Sequence, residues 1–263
     1  MTRIFLTWRT APLFAATVAA LLLAAPARLH AQFGPPPPQP PRPAKQVAPE
    51  DLTGYWVSIV TEDWRWRMVT PAKGDYTSVP LNQEGRKVAD TWDPDKDIAA
   101  GNQCKAYGAA AVMRVPGRVH ITWQDDNTLK VETDAGTQTR IFHFGGKPPA
   151  NEAPSWQGYS VANWDGLRPP PRGGGPAPKG GSLKVVTTNM KAGYLRKNGV
   201  PYSANATLTE YYDRTNEPNG DSWLIVTTIV DDPMYLYQQF VTSTHFKMEK
   251  DGSKWSPSAC EAK

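Results

Sequence analysis

Three short runs of alternating apolar and polar residues, joined by two tight turns, set the strongest limit on what this chain can fold into. They are VHITWQ at 119–124, TLKVET at 128–133 and TRIFHF at 139–144, separated by Asp125-Asp126-Asn127 and Asp134-Ala135-Gly136. A strand sends successive side chains to opposite faces, so Val119, Ile121 and Trp123 share one face, as do Leu129 and Val131, while Lys130 and Glu132 point the other way. One side of this meander faces a core and the other faces water.

The same pattern recurs in LTGYWVSIV at 52–60, SLKVVTTN at 182–189, ATLTEYYDR at 206–214, DSWLIVTTIVD at 221–231 and MYLYQQFVTSTHFKME at 234–249. Glu217-Pro218-Asn219-Gly220 makes a strong turn between two of them. Eight to ten strands in meanders predict an all-β, closed or nearly closed antiparallel barrel, because closure removes the exposed edges of an open sheet. A β-sandwich is the alternative. The one helix expected is NQEGRKVADTW at 82–92, where Leu81, Val88 and Trp92 fall near one side and Gly85 weakens the helix. It is placed as a cap on one end of the barrel.

The first 31 residues read as a secretory signal peptide. Arg3 and Arg9 give a positive start, Ala11 to Ala25 is an uncharged run too short for a comfortable membrane span, and small residues at Ala25-Pro26-Ala27 or Leu29-His30-Ala31 offer cleavage sites. Residues 32–49 follow as a spacer, since the prolines of PPPPQPPRPAKQ lack amide donors and hold an extended geometry. A single domain is expected over 50–263, interrupted at 168–181 by the Gly/Pro-rich loop RPPPRGGGPAPKGG. The reading is of a periplasmic or secreted protein with no integral membrane segment after cleavage.

Loss of Arg3, Arg9 and Arg28 with the signal leaves 26 basic against 25 acidic residues. The mature chain is nearly neutral, with no basic stripe of the kind that binds nucleic acid or phosphate. Cys104 and Cys260 are an even pair in an exported chain and predict one disulfide, whose chain-entropy contribution has a ceiling of about 5 kcal/mol. Cysteine spacing for a metal is absent.

Gly54-Tyr55-Trp56 resembles the Gly-x-Trp near the first strand of lipocalin-type barrels, where the indole closes the barrel's end. Over most of the mature chain the sequence also resembles a family of uncharacterised exported bacterial proteins. The matching segments are LTGYW (52–56), WDP (92–94), Cys104 to Gly108 with Met113 and Pro116, GYSVANWDG (158–166), LKVVTTNM (183–190), LTEYYDR (208–214) and DDPMY (231–235). The chain departs from that pattern after Trp164-Asp165-Gly166, where the Gly/Pro loop replaces a short hairpin turn.

Candidate chemistry is sparse. His120, His143 and His245 lie in three strands, and a three-imidazole metal site competes with the simpler reading of half-buried, hydrogen-bonded histidines. Asp231-Asp232-Pro233 suits a turn better than an acid-base pair, and Asp93-Pro94-Asp95 with Asp97 lacks the ligand spacing of a calcium loop. No serine sits in a nucleophile elbow. The aromatic content is more suggestive, because an apolar pocket with a few polar handles is how small-molecule sites are built. Trp123, Arg140, Phe142, His143, Trp164 and Tyr212 are the expected ligand-binding residues, for a small lipophilic or aromatic molecule and with no cofactor. An enzyme drawing acid and base from the His and Asp residues, or an envelope interaction module, are the alternatives.

Overall fold

The computed structural model describes residues 42–166 and 181–263. The expected signal peptide, most of the proline run and the Gly/Pro loop from 168 to 180 lie outside the described residues. The architecture is a closed barrel of nine strands. They are β1 (Gly54–Ile59), β2 (Arg118–Asp125), β3 (Thr128–Thr133), β4 (Gln138–Phe144), β5 (Tyr159–Asp165), β6 (Ser182–Thr188), β9 (Thr207–Asn216), β10 (Ser222–Asp231) and β11 (Phe240–Glu249). A separate hairpin of β7 (Gly193–Arg196) and β8 (Val200–Tyr202) lies between β6 and β9 in the chain. The ring order is β1-β11-β10-β9-β6-β5-β4-β3-β2, and β1 pairs with both β11 and β2 to close it.

An odd ring cannot alternate direction all the way round, so at least one neighbouring pair must be parallel. Here it is β4 and β5, joined over Phe142↔Ser160 to Phe144↔Ala162. A parallel connection has to return along the barrel, and residues 145–158 make that journey. Above the short parallel ladder, side chains bridge the seam: Gln157 Nε2 donates to Gln138 Oε1 and to the Tyr107 carbonyl, both at 2.8 Å.

Period two sorts the interior. Trp56, Ile121, Leu129, Val131, Phe142, Leu183, Val185, Tyr212, Leu224, Val226 and Phe246 form one buried cluster inside the ring. The Trp56 indole donates to the Leu52 carbonyl at 3.0 Å. The lower end, where β2 turns into β3, is covered by residues 42–53, the first eight of which the sequence places in the spacer. Ala44 N donates to Asn127 Oδ1 at 2.8 Å, and the Trp164 indole donates to the Ala44 carbonyl at 2.9 Å.

The upper end carries the long insertion between β1 and β2. It holds four short helices, α1 (Trp64–Arg67), α2 (Gln83–Ala89), α3 (Pro94–Ala99) and α4 (Ala109–Val112), and a 3-10 turn at Lys105–Tyr107. Only α2 is read from the sequence. Its N-cap is Asn82, whose side chain accepts from Gly85 N at 2.9 Å, which satisfies one of the orphan amides of a helix start. Gly85, a weakness by propensity, is required by packing, since a Cβ there would stand 2.4 Å from the Tyr235 carbonyl oxygen. Asp93, in the acidic segment that lacks calcium-loop spacing, caps α3. Cys104 and Cys260 are bonded, with Cα atoms 5.1 Å apart. The bond secures the C-terminal tail, which also pairs with the β3–β4 turn through Ser258 N to the Asp134 carbonyl.

At the lower end both Glu50 carboxylate oxygens accept from Arg214 N at 3.1 Å. Burial nevertheless pushes the Glu50 carboxyl up from 4.5 to about 7. The folded state therefore holds this proton more tightly than the unfolded chain, so the group stabilises the fold fully below pH 4.5 and that contribution is lost as pH rises to about 7. Glu50→Gln is expected to melt with the parent at pH 4 and above it at pH 8 by calorimetry; equal midpoints at pH 8 would contradict this.

Candidate functional site

The six residues expected to bind ligand fall into three places. Arg140, Phe142 and Tyr212 meet inside the barrel, where the Phe142 and Tyr212 rings are 5.5 Å apart and the Arg140 guanidinium lies 4.9 Å from the Phe142 ring centre. Trp123 and Trp164 gather with Phe144 at the lower end, with ring centres 5.3–6.5 Å apart. His143 lies on the outer wall, stacked on Tyr159 at 4.6 Å. The alternation requires this, because Arg140 and Phe142 point inward and their neighbour cannot.

The interior group is an ion pair held by a polar layer. Arg140 donates to both Glu210 oxygens at 2.9 and 2.6 Å, to Tyr212 Oη at 3.3 Å and to Thr187 Oγ1 at 3.3 Å. Both charged side chains are fully buried. Burial disfavours the Arg140 charge, but the Glu210 carboxylate more than offsets it and the guanidinium's pKa is raised. Burial likewise raises the Tyr212 phenol, so it stays a neutral donor.

The histidines do not converge. His120 stacks on Tyr55 at 4.0 Å with its Nδ1 3.4 Å from Glu132, and His245 Nδ1 lies 3.3 Å from Glu62. Among the described residues no three His, Cys, Asp or Glu side chains group as a metal site. Asp232 is a turn residue whose carboxylate accepts from Ser203 N at 2.6 Å, Ser203 Oγ at 2.8 Å and Met234 N at 3.2 Å.

A different site emerges at the upper mouth. A cleft of about 270 Å3 opens between α1, the 3-10 turn, α4, β7 and the C-terminal tail, and Arg67, Arg114 and Arg196 all line it. These arginines are only 8, 5 and 4 % exposed. Each comes from a separate segment: Arg67 ends α1, Arg114 follows α4 and Arg196 ends β7. Arg67 Nε donates to the Arg114 carbonyl at 2.8 Å, which draws two cationic side chains together.

Compensation is incomplete. Arg67 pairs with Glu62, and Arg114 Nη2 pairs with Asp63 at 2.8 Å. Arg196 has no carboxylate within 4 Å among the described residues; it donates to the Thr77 carbonyl at 2.7 Å and stacks 4.9 Å over the Trp66 ring. Burial, followed by the nearby Arg114 charge, lowers Arg67 and Arg196 to about 10, still cationic at neutral pH. Burial also lowers Arg114, against the pull of Asp63. Four nitrogens, Arg67 Nη2, Arg114 Nη1 and Arg196 Nε and Nη2, are buried with no hydrogen-bond partner among the described residues. A buried donor left unmade costs about 1–3 kcal/mol, more when charged, so the cluster is arranged at a cost to stability. Planar guanidinium donors of this kind match the oxygens of carboxylate, sulfate or phosphate.

Sequence reasoning misses this site because its cations stand at 67, 114 and 196, in three segments far apart in the chain. The one local signal is EDWRWRM at 62–68, where aromatic and cationic residues alternate. Comparison with protein-family models, curated proteins and solved structures returns no match.

The interior pair yields a test of its structural role. Glu210→Leu strands the Arg140 charge in the barrel and is expected to lower stability by about 3–5 kcal/mol in urea denaturation. A loss under about 1 kcal/mol would show that the barrel opens to water at this layer.

Proposed function

We propose that the protein is an exported binding protein for a small molecule carrying an oxyanion, held in the three-arginine cleft at the upper mouth of the barrel. The observation that carries this reading is the set of four unpartnered guanidinium nitrogens around one cleft. In this reading the guanidinium nitrogens turn toward the cleft, where a bound anion supplies the missing acceptors and balances the Arg196 charge. The Cys104–Cys260 disulfide is compatible with an oxidising compartment and so with export.

The barrel interior plays a supporting part in this reading. Trp56, Phe142, Tyr212 and Phe246 are at most 1 % exposed, so the interior is a packed support and the ligand is placed at its mouth. Of the residues expected to form a pocket, Phe142 and Tyr212 belong to this packed interior.

The test is titration calorimetry with inorganic phosphate and sulfate on the parent and on Arg196→Met. The substitution keeps a side chain over Trp66 and removes the uncompensated charge. Affinity is expected to fall roughly 10- to 100-fold, the worth of a charged hydrogen bond, while the melting temperature holds or rises. No anion binding by the parent, or unchanged affinity in Arg196→Met, would overturn the proposal.

A further inference from the structure

We infer that the anion is the head of a single-chain amphiphile, with its alkyl chain lying on an apolar lip made by Trp64, Met68 and Val69. This rests on the oxyanion reading of the cleft and adds the chemistry of the rest of the ligand.

The lip is large for its length of chain. Trp64, Met68 and Val69 are 63, 59 and 67 % exposed, which places three large apolar side chains in water within six residues. Met68 and Val69 line the arginine cleft themselves. Trp64 and Met68 are four residues apart on one helical turn, closed by Met68 N donating to the Trp64 carbonyl at 2.9 Å, so they stand on the same face. The apolar surface therefore starts inside the cleft and continues outward from it. Arg67 lies between these residues in the chain and turns the other way, into the buried cluster. Polar head and apolar chain are thus read by alternate sides of one short segment.

Farther in, the cleft is lined by Ala106, Ala111, Val115 and Leu195, so methylenes next to the head also meet apolar surface. Three exposed side chains on one turn cover a few methylenes and fall well short of a stable membrane anchor. The occupant is accordingly a dissolved, single-chain amphiphile such as a fatty carboxylate or an alkyl phosphate, and not a bilayer.

The test compares inorganic phosphate, n-octyl phosphate and the neutral n-octyl glucoside, each below its micelle concentration, by calorimetry on the full mature chain. Octyl phosphate is expected to bind roughly tenfold or more tighter than phosphate, since two buried methylenes suffice for that factor. Octyl glucoside is expected not to bind. Trp64→Ser changes only an exposed side chain outside the cleft lining, so the fold is expected to survive; it should cut the advantage of octyl phosphate severalfold and leave phosphate affinity unchanged. Equal binding of phosphate and octyl phosphate, or an advantage unchanged by Trp64→Ser, would overturn the inference and leave the oxyanion site standing. Octyl glucoside binding as tightly as octyl phosphate, or strong sedimentation with phosphatidylglycerol vesicles, would also overturn it. Failure of both anions to bind would instead remove the oxyanion site, and the inference with it.

Discussion

The double pairing of β1, with β11 on one side and β2 on the other, closes the ring, and most of the remaining architecture depends on that closure. A closed ring has no free edge for a partner strand. With nine members it must also contain one parallel seam, and this seam fixes the course of residues 145–158 along the barrel. Closure buries a full interior face, which the alternating residues of β2, β3, β4, β6, β9, β10 and β11 fill. A filled interior leaves the two mouths as the places where the chain can elaborate. The upper mouth receives the 58-residue insertion between β1 and β2, together with the β7–β8 hairpin and the disulfide-tethered tail.

The barrel uses buried arginine in two ways. Arg140 has its charge paired with Glu210 and is further bonded to Tyr212 and Thr187, with Nε alone left without a partner among the described residues, and it ties β4 to β9 and β6 across the interior. Arg67, Arg114 and Arg196 share two carboxylates among three charges and leave donors unmade. The first arrangement is what a stable interior requires. The second departs from that requirement, and such departures gather at functional sites. This contrast within one molecule supports placing the ligand at the mouth instead of the interior.

Much of the barrel was legible in the sequence, and the candidate site was not. Period-two alternation located β2, β3, β4, β6, β9 and β10 closely, because a half-buried strand writes its two faces directly into the chain. The α2 helix and the Cys104–Cys260 pair were also accessible, since both are local or arithmetic signals. β11 begins later than MYLYQQF suggests, because Asp232 accepts from Met234 N, Tyr235 N and Leu236 N in a turn and Leu236 bridges to Leu81. β7 and β8 are too short to show a period. The parallel seam follows from strand count, which no single segment carries. The expected site residues shared aromatic or cationic character, yet His143 stood on the wrong parity beside Arg140 and Phe142, and Trp123 and Trp164 belonged to the lower plug. The arginine cleft arises only when three distant segments converge.

The most direct measurement is crystallographic: soak crystals of the protein in selenate, an oxyanion with an anomalous signal. The account predicts a selenium peak in the upper cleft, with oxygens hydrogen-bonded to Arg67, Arg114 and Arg196. Strong peaks elsewhere with an empty, solvent-accessible cleft would contradict it.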